Sequence, residues 1–221
     1  MSTGGPRRPG AHMVLALILI ALLAAGVLAM ILRPVMKVSR GAPIPKNRKR
    51  SALLLIDLQR DFLERGPYPA TERAAVMRRV SALIAAAQVT GRPVVALRHG
   101  WRDPGMRFLS KLAMHGTGLA GSPGAALVSP IDDVDHVIDK SVQDGFADGT
   151  LDALLDYLGV GALEIAGLDA AACVATTAEA ALNRGYHVTI REDAILGRAG
   201  RLWPRRRARL VKRGALLASA S

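Results

Sequence analysis

Five short apolar runs, each ending in or beside an ionisable residue, constrain this chain's fold more than any other feature. They are Ser51–Asp57 (Ser-Ala-Leu-Leu-Leu-Ile-Asp), Pro93–Leu97 followed by Arg98 and His99, His136–Lys140, Ala162–Leu168 followed by Asp169, and His187–Glu192. Apolar runs this short, bounded by polar residues, suit strands buried on both faces of a parallel sheet. Helical stretches lie between them. One covers 71–90, with Thr71 as N-cap and Ala75, Val76, Val80, Leu83, Ile84 and Ala87 at helical spacing. Others run from about 150 to 158, from Cys173 to Gly185, and over 204–213 with Pro204 in the first turn. Gly214–Ser219 reads as a last strand. Strand alternating with helix predicts an α/β fold of three layers, α/β/α, with a mostly parallel, Rossmann-type sheet and right-handed crossovers. Residues 103–135 are Gly-rich with little periodicity. They read as one long loop, of the kind that often forms a binding lid.

The N-terminal part obeys different rules. Residues 13–32 are twenty apolar residues without a charge. At about 1.5 Å per residue they reach roughly 30 Å, the thickness of a bilayer core. The run exceeds the apolar region of a cleaved signal peptide, and Arg33-Pro34-Val35-Met36-Lys37 follows it. It is therefore read as an uncleaved transmembrane helix. Residues 1–12 form a short basic tail, 33–50 a basic, Pro-containing linker on anionic headgroups, and 51–221 the globular domain. Arg7 and Arg8 precede the span; Arg33, Lys37, Arg40, Lys46, Arg48, Lys49 and Arg50 follow it. The heavier basic side faces the cytoplasm, so the expectation is a single-pass membrane protein, N-terminus out and domain inside. One cysteine excludes an internal disulfide and fits a reducing compartment.

The net charge of +12 sits at the two ends. Residues 1–50 hold nine Lys/Arg and residues 194–221 hold eight, with no acid in either. Residues 51–193 carry thirteen basic and eighteen acidic residues, a balance of −5. The basic ends lack aromatic interleaving and any nucleic-acid motif, so no nucleic-acid partner is expected.

Residues 162–185 combine strand, tight turn and helix. They put Cys173 in the first turn of a helix, just past a strand's carboxyl end. The unpaired N–H groups and positive dipole end there favour a thiolate and can hold an oxyanion. Asp57 and Lys140 also stand at strand ends, and in a parallel sheet such ends share one edge. A carboxylate can accept the thiol proton, and an ammonium can hold both anions. Each residue also has a structural reading: Cys173 as a small core residue, Asp57 as a turn cap, Asp57–Lys140 as an ion pair.

Three blocks together resemble the isochorismatase-like cysteine hydrolases, which include nicotinamidases and carbamoylsarcosine amidases. They are Leu53-Leu-Leu-Ile-Asp57-Leu-Gln59-Arg-Asp-Phe62; Val137-Ile-Asp-Lys140 with Gly145-Phe146 and Thr150-Leu151; and Gly167-Leu-Asp169-Ala-Ala-Ala-Cys173-Val-Ala-Thr-Thr-Ala178, continuing to Asp193-Ala194. Gly121-Ser-Pro-Gly124 is similar to the family's Gly-rich segment. The resemblance covers about 51–219. It implies a catalytic triad of Asp57, Lys140 and Cys173, and a non-proline cis peptide at Leu168–Asp169. It also implies an oxyanion hole from the N–H groups of Asp169 and Cys173. Phe62, His99 and Trp101 are candidate pocket residues; for His99 and Trp101, packing as loop anchors is an equal reading.

The chain departs from the family's metal-binding branch. After the second strand it reads Arg98-His99-Gly100-Trp101-Arg102-Asp103, and His12, His99, His115, His136 and His187 lack metal-ligand spacing. No catalytic metal and no cofactor are expected. The resulting expectation is a membrane-anchored hydrolase of a small-molecule C–N bond (amide, ureido or carbamoyl), acting through a thioester. The other readings are a vinyl-ether hydrolase of the isochorismatase kind and a non-catalytic, membrane-tethered scaffold. The family is often oligomeric, so a homo-oligomer is also an expectation.

Overall fold

A computed structural model describes residues 11–219. The chain divides between Pro34 and Val35 into an N-terminal helical unit and a larger body. The first unit is helix α1, Ala11–Val35, with Pro34 in its last turn. Its apolar side chains from Met13 to Met30 are exposed, and it is the one helix among the described residues long and apolar enough to cross a membrane. The basic residues expected before the span, Arg7 and Arg8, lie outside the described residues.

The body is a six-stranded sheet, entirely parallel, in the order β3-β2-β1-β4-β5-β6. The strands are β1 (Arg50–Ile56), β2 (Val94–His99), β3 (His136–Lys140), β4 (Val160–Gly167), β5 (His187–Ile195) and β6 (Leu216–Ala218). In β1, Ala52 to Ile56 are all fully buried. Ala52, Leu54 and Ile56 enter one apolar cluster, Leu53 and Leu55 the other, on the opposite face. This two-sided burial is why β1 reads as a continuous apolar run and not as an alternation.

Helices α2 (Arg60–Arg65) and α3 (Ala70–Val89) follow β1; α3 buries Val76, Val80, Leu83, Ile84 and Ala87. Helix α5 (Thr150–Tyr157) precedes β4, and α6 (Ala175–Asn183) and α7 (Trp203–Lys212) flank β5. Strand order reverses between β1 and β4, the switch point where open α/β sheets place their ligands.

Four expectations need correction. Helix α3 starts at Ala70 with Pro69 as its cap residue, not at Thr71; Pro69 makes no side-chain cap bond. The segment 103–135 is not one loop. It holds helix α4 (Pro104–Ala113), whose N-cap Asp103 accepts the Met106 N–H at 3.0 Å, and two short 3-10 turns. The helix expected from Cys173 starts at Ala170 instead, as a π-turn (Ala170–Val174) that runs into α6, so Cys173 lies in its first turn as expected. Finally, the chain between Val35 and Arg50 is not a free linker. Val35 is buried, and Val38 and Ile44 pack against the core. The Ile44 N–H donates to the Arg184 carbonyl at 2.8 Å, and Arg48 pairs with Asp156. A Pro- and Lys/Arg-rich composition suggests a solvated linker. The partners that bind it lie more than a hundred residues away, where no local pattern reveals them.

Candidate active site

The switch point positions three of the expected residues. Asp57 follows β1 in a left-handed conformation (φ 55°), which aspartate tolerates better than most residues. Its N–H donates to the Leu97 carbonyl at 3.0 Å, and its own carbonyl accepts the Gln59 N–H at 2.7 Å, making a tight turn. Lys140 ends β3. Its ammonium reaches under β2 to donate to Asp57 Oδ2 at 2.9 Å, to the Val142 carbonyl at 3.1 Å and to His99 Nδ1 at 3.4 Å. Both side chains of the Asp57–Lys140 pair are about 3% exposed. The Cys173 thiol is near enough to both for their charges to act on it, Asp57 raising and Lys140 lowering its proton affinity. Acid, amine and sulfur, from three separate strand ends, thus meet at one rim.

The approach to Cys173 is held by backbone and side chain together. Gly167 has φ 122°, and a Cβ there would collide with the Ile56 carbonyl oxygen, so the β4 exit requires glycine. The Leu168–Asp169 peptide is cis. The Asp169 carboxylate accepts the Ala171 N–H at 2.9 Å, and its carbonyl accepts those of Ala172 and Val174, each at 3.1 Å. The Tyr68 hydroxyl donates to Asp169 Oδ2 at 3.1 Å. Sequence reading missed Tyr68; its only local signal is the Gly66-Pro67-Tyr68-Pro69 turn, and Asp169 is 101 residues away. Gln59 belongs to the first family-like block. Its buried amide clamps the ends of β1 and β2, donating to the carbonyls of His99 and Ala125 and accepting the His99 N–H.

Burial governs the electrostatics. It raises the Asp57 carboxyl above its ordinary value of 3.8; the Lys140 charge and hydrogen bond oppose this without cancelling it. For Lys140 burial pulls downward, but Asp57 and then Cys173 outweigh it, so the ammonium stays charged. The Cys173 thiol is pushed well above its ordinary value by burial first and the Asp57 charge second, against Lys140. The helix dipole favours a thiolate at Cys173; burial and the neighbouring carboxylate push the other way. His99 is pushed well below 6.5 by burial and the Lys140 charge, so its ring is neutral. Lys140 lies 3.4 Å from Nδ1, and Nε2 is buried without a partner.

The expected pocket residues form one stack. Phe62 meets His99 edge-on at 5.9 Å, and Trp101 meets His99 edge-on at 4.0 Å. Phe62 also lines a cavity of about 450 Å³ with Pro67, Tyr68 and Met114. His99 lines another, of about 550 Å³, with Arg98, Arg102, Ser122 and Asp139. Trp101 is buried and its Nε1 has no partner.

These residues do not fit a metal. His99 Nδ1 faces an ammonium, and Arg98 and Arg102 both hold Asp139, at 2.6 and 3.0 Å. Among the described residues, no three His, Cys, Asp or Glu side chains converge as ligands.

An all-parallel sheet with acid, amine and thiol at its switch point defines a class, and the family comparison agrees with it. Residues 51–221 match the isochorismatase domain, so the chain belongs to the isochorismatase family. Among individual proteins, it is 36% identical over 145 residues to a streptothricin hydrolase of Streptomyces noursei, covering 65% of this chain and 48% of that protein. The chain spans about half the length of the curated relatives it matches. Its fold matches the zinc-bound pyrazinamidase of Pyrococcus horikoshii (TM-score 0.67, 24% identity, 78% of this chain and 100% of that one). It also matches the N-carbamoylsarcosine amidase of Thermoplasma acidophilum (TM-score 0.65, 26% identity, 77% and 96%).

Proposed function

We propose that this chain hydrolyses a C–N bond of a small molecule, in an amide, ureido or carbamoyl group, through Asp57, Lys140 and Cys173. The observation that carries the reading is the buried Asp57–Lys140 pair at 2.9 Å, whose two charges both act on the Cys173 thiol. Asp57 Oδ1, buried and without a hydrogen-bond partner, is free to take the thiol proton. The sulfur then attacks the carbonyl carbon, and the oxyanion rests on the N–H groups of Asp169 and Cys173. The C–N bond breaks as the leaving nitrogen takes the proton from Asp57, which leaves a thioester on Cys173. Water gives a proton to Asp57 and its oxygen to the thioester carbon; the acid departs, and Cys173 recovers the proton. Lys140 stays charged and holds Asp57 in place. Phe62, His99 and Trp101 contact the bound substrate. Two of the similar structures are named amidases and the curated relatives streptothricin hydrolase, which supports an amide over a vinyl ether.

The test is a screen of small amides, ureido acids and carbamoyl compounds, with streptothricin included. Wild type should release amine or ammonia from at least one of them. Cys173→Ala should release none while keeping its circular dichroism and melting curve. Full activity in that variant sinks the mechanism.

Helix α1 is proposed as a single transmembrane anchor, with the N-terminus outside and the hydrolase domain in the cytoplasm. A reporter fused after Ser221 should be active only as a cytoplasmic form; activity restricted to the outside overturns this topology.

A further inference from the structure

The strap Val35–Ser39 lies ahead of the residues matched by the family, yet it is tied to the loop that follows Lys140. The Gln143 N–H donates to the Val35 carbonyl at 3.0 Å. The Ser39 N–H donates to Asp144 Oδ2 at 2.6 Å, and Asp144 Oδ1 accepts the Phe146 N–H at 2.8 Å. Asp144 is fully buried, so this carboxylate relies on backbone N–H groups for its partners. The Ser39 carbonyl is fixed by Asn183 Nδ2 at 2.8 Å, and its hydroxyl by Arg184 at 3.0 Å. From α6, Thr177 Oγ1 accepts the Gly145 N–H at 3.0 Å and donates to the Gln143 carbonyl at 3.3 Å.

The loop held this way carries the Val142 carbonyl, one of the three acceptors of the Lys140 ammonium. We propose that Val35–Ser39 and Asp144 are positioning residues for Lys140: the strap fixes the 142–146 loop, and the loop aims the ammonium at Asp57 and Cys173. This rests on the proposed role of Lys140. It makes the working domain begin at Val35, sixteen residues before the family boundary at Ser51.

The test uses the full chain with two variants, Ser39→Pro, which deletes the N–H, and Asp144→Asn, which weakens its acceptor. Asp156→Ala, which loosens the strap only at Arg48, is the control. Two readouts need no substrate: amide hydrogen exchange of residues 142–146, and the pH midpoint of Cys173 alkylation by iodoacetamide. Lys140 lowers the thiol's proton affinity, so an ammonium that is no longer aimed raises the midpoint. A rise of one pH unit slows alkylation below the midpoint about tenfold. Both positioning variants should show faster exchange and the higher midpoint, and the control neither. Faster exchange with an unmoved midpoint makes the strap merely structural and overturns the proposal. Unchanged exchange overturns it too. If the midpoint shifts while wild type cleaves no amide, the positioning stands and the hydrolase reading fails.

Discussion

Two sets of ion pairs on the sheet carry similar residue types and use them in opposite ways. Partway along β4 and β5, Arg92 pairs with Glu164 at 2.7 Å, and Arg191 shares the same carboxylate at 3.3 Å; all three side chains keep 14–26% of their exposure. Water screens such pairs, and each is worth about 1 kcal/mol or less. At the carboxyl rim the Asp57–Lys140 pair is almost fully buried, Asp57 has a left-handed backbone, and polar atoms of Asp57, His99 and Trp101 lack partners. Charges buried this way contribute little net stability and cost much when one partner is removed. A fold gains nothing from that arrangement, whereas a site that must hold and move a proton does.

The sharpest way to break the contrast is Lys140→Met, which strands the Asp57 carboxylate. Turnover should fall by about a thousandfold or more. Stability measured by denaturant near pH 8 should fall by about 3–5 kcal/mol. The loss should shrink in acid, where Asp57 is protonated. A variant as stable as wild type at pH 8 would place this pair with the partly exposed pairs of Glu164. Next in size is Leu55→Ala in the β1 core, which opens a cavity between β1 and α3. It should cost about 2–5 kcal/mol while kcat per folded molecule stays within a few-fold.

A smaller effect comes from His99. Its folded-state proton affinity is depressed, so below about pH 6.5 the unfolded chain takes up a proton that the folded chain refuses. Stability contributed by neutral His99 is therefore present above pH 6.5 and drains away as pH falls, by at most about 1.4 kcal/mol per pH unit. Melting curves of His99→Gln should lose that slope between pH 6.5 and 5. Smallest of all is Arg92→Ala, which should cost about 1 kcal/mol or less and leave the rate untouched; a hundredfold loss of rate would erase the distinction between the two sets of pairs.

Much of the site could be read in the sequence because parallel strands announce their carboxyl ends. An apolar run that stops at an ionisable residue leaves little freedom in where Asp57, Lys140 or Asp169 can lie. What escaped reading was set by burial or by distance along the chain. The thiolate expectation for Cys173 follows from local dipoles, and burial with a neighbouring carboxylate works against them. Helix α4 was hidden because Pro104-Gly105 opens it and glycines crowd the residues after it, though Asp103 was a legible N-cap. The Tyr68–Asp169 and Ser39–Asp144 bonds join residues about a hundred positions apart, and nothing local marks either pair.

The central claim is that Cys173 becomes acylated during turnover, with Asp57 as the base. The direct measurement is intact-mass spectrometry of acid-quenched enzyme within the first turnovers on an amide found by the screen. The account predicts a mass increase equal to the acyl group, mapped by digestion to the Cys173 peptide. The increase should be absent in Cys173→Ala and strongly diminished in Asp57→Asn. Steady hydrolysis with no adduct at Cys173, or an undiminished rate in Cys173→Ala, would contradict it.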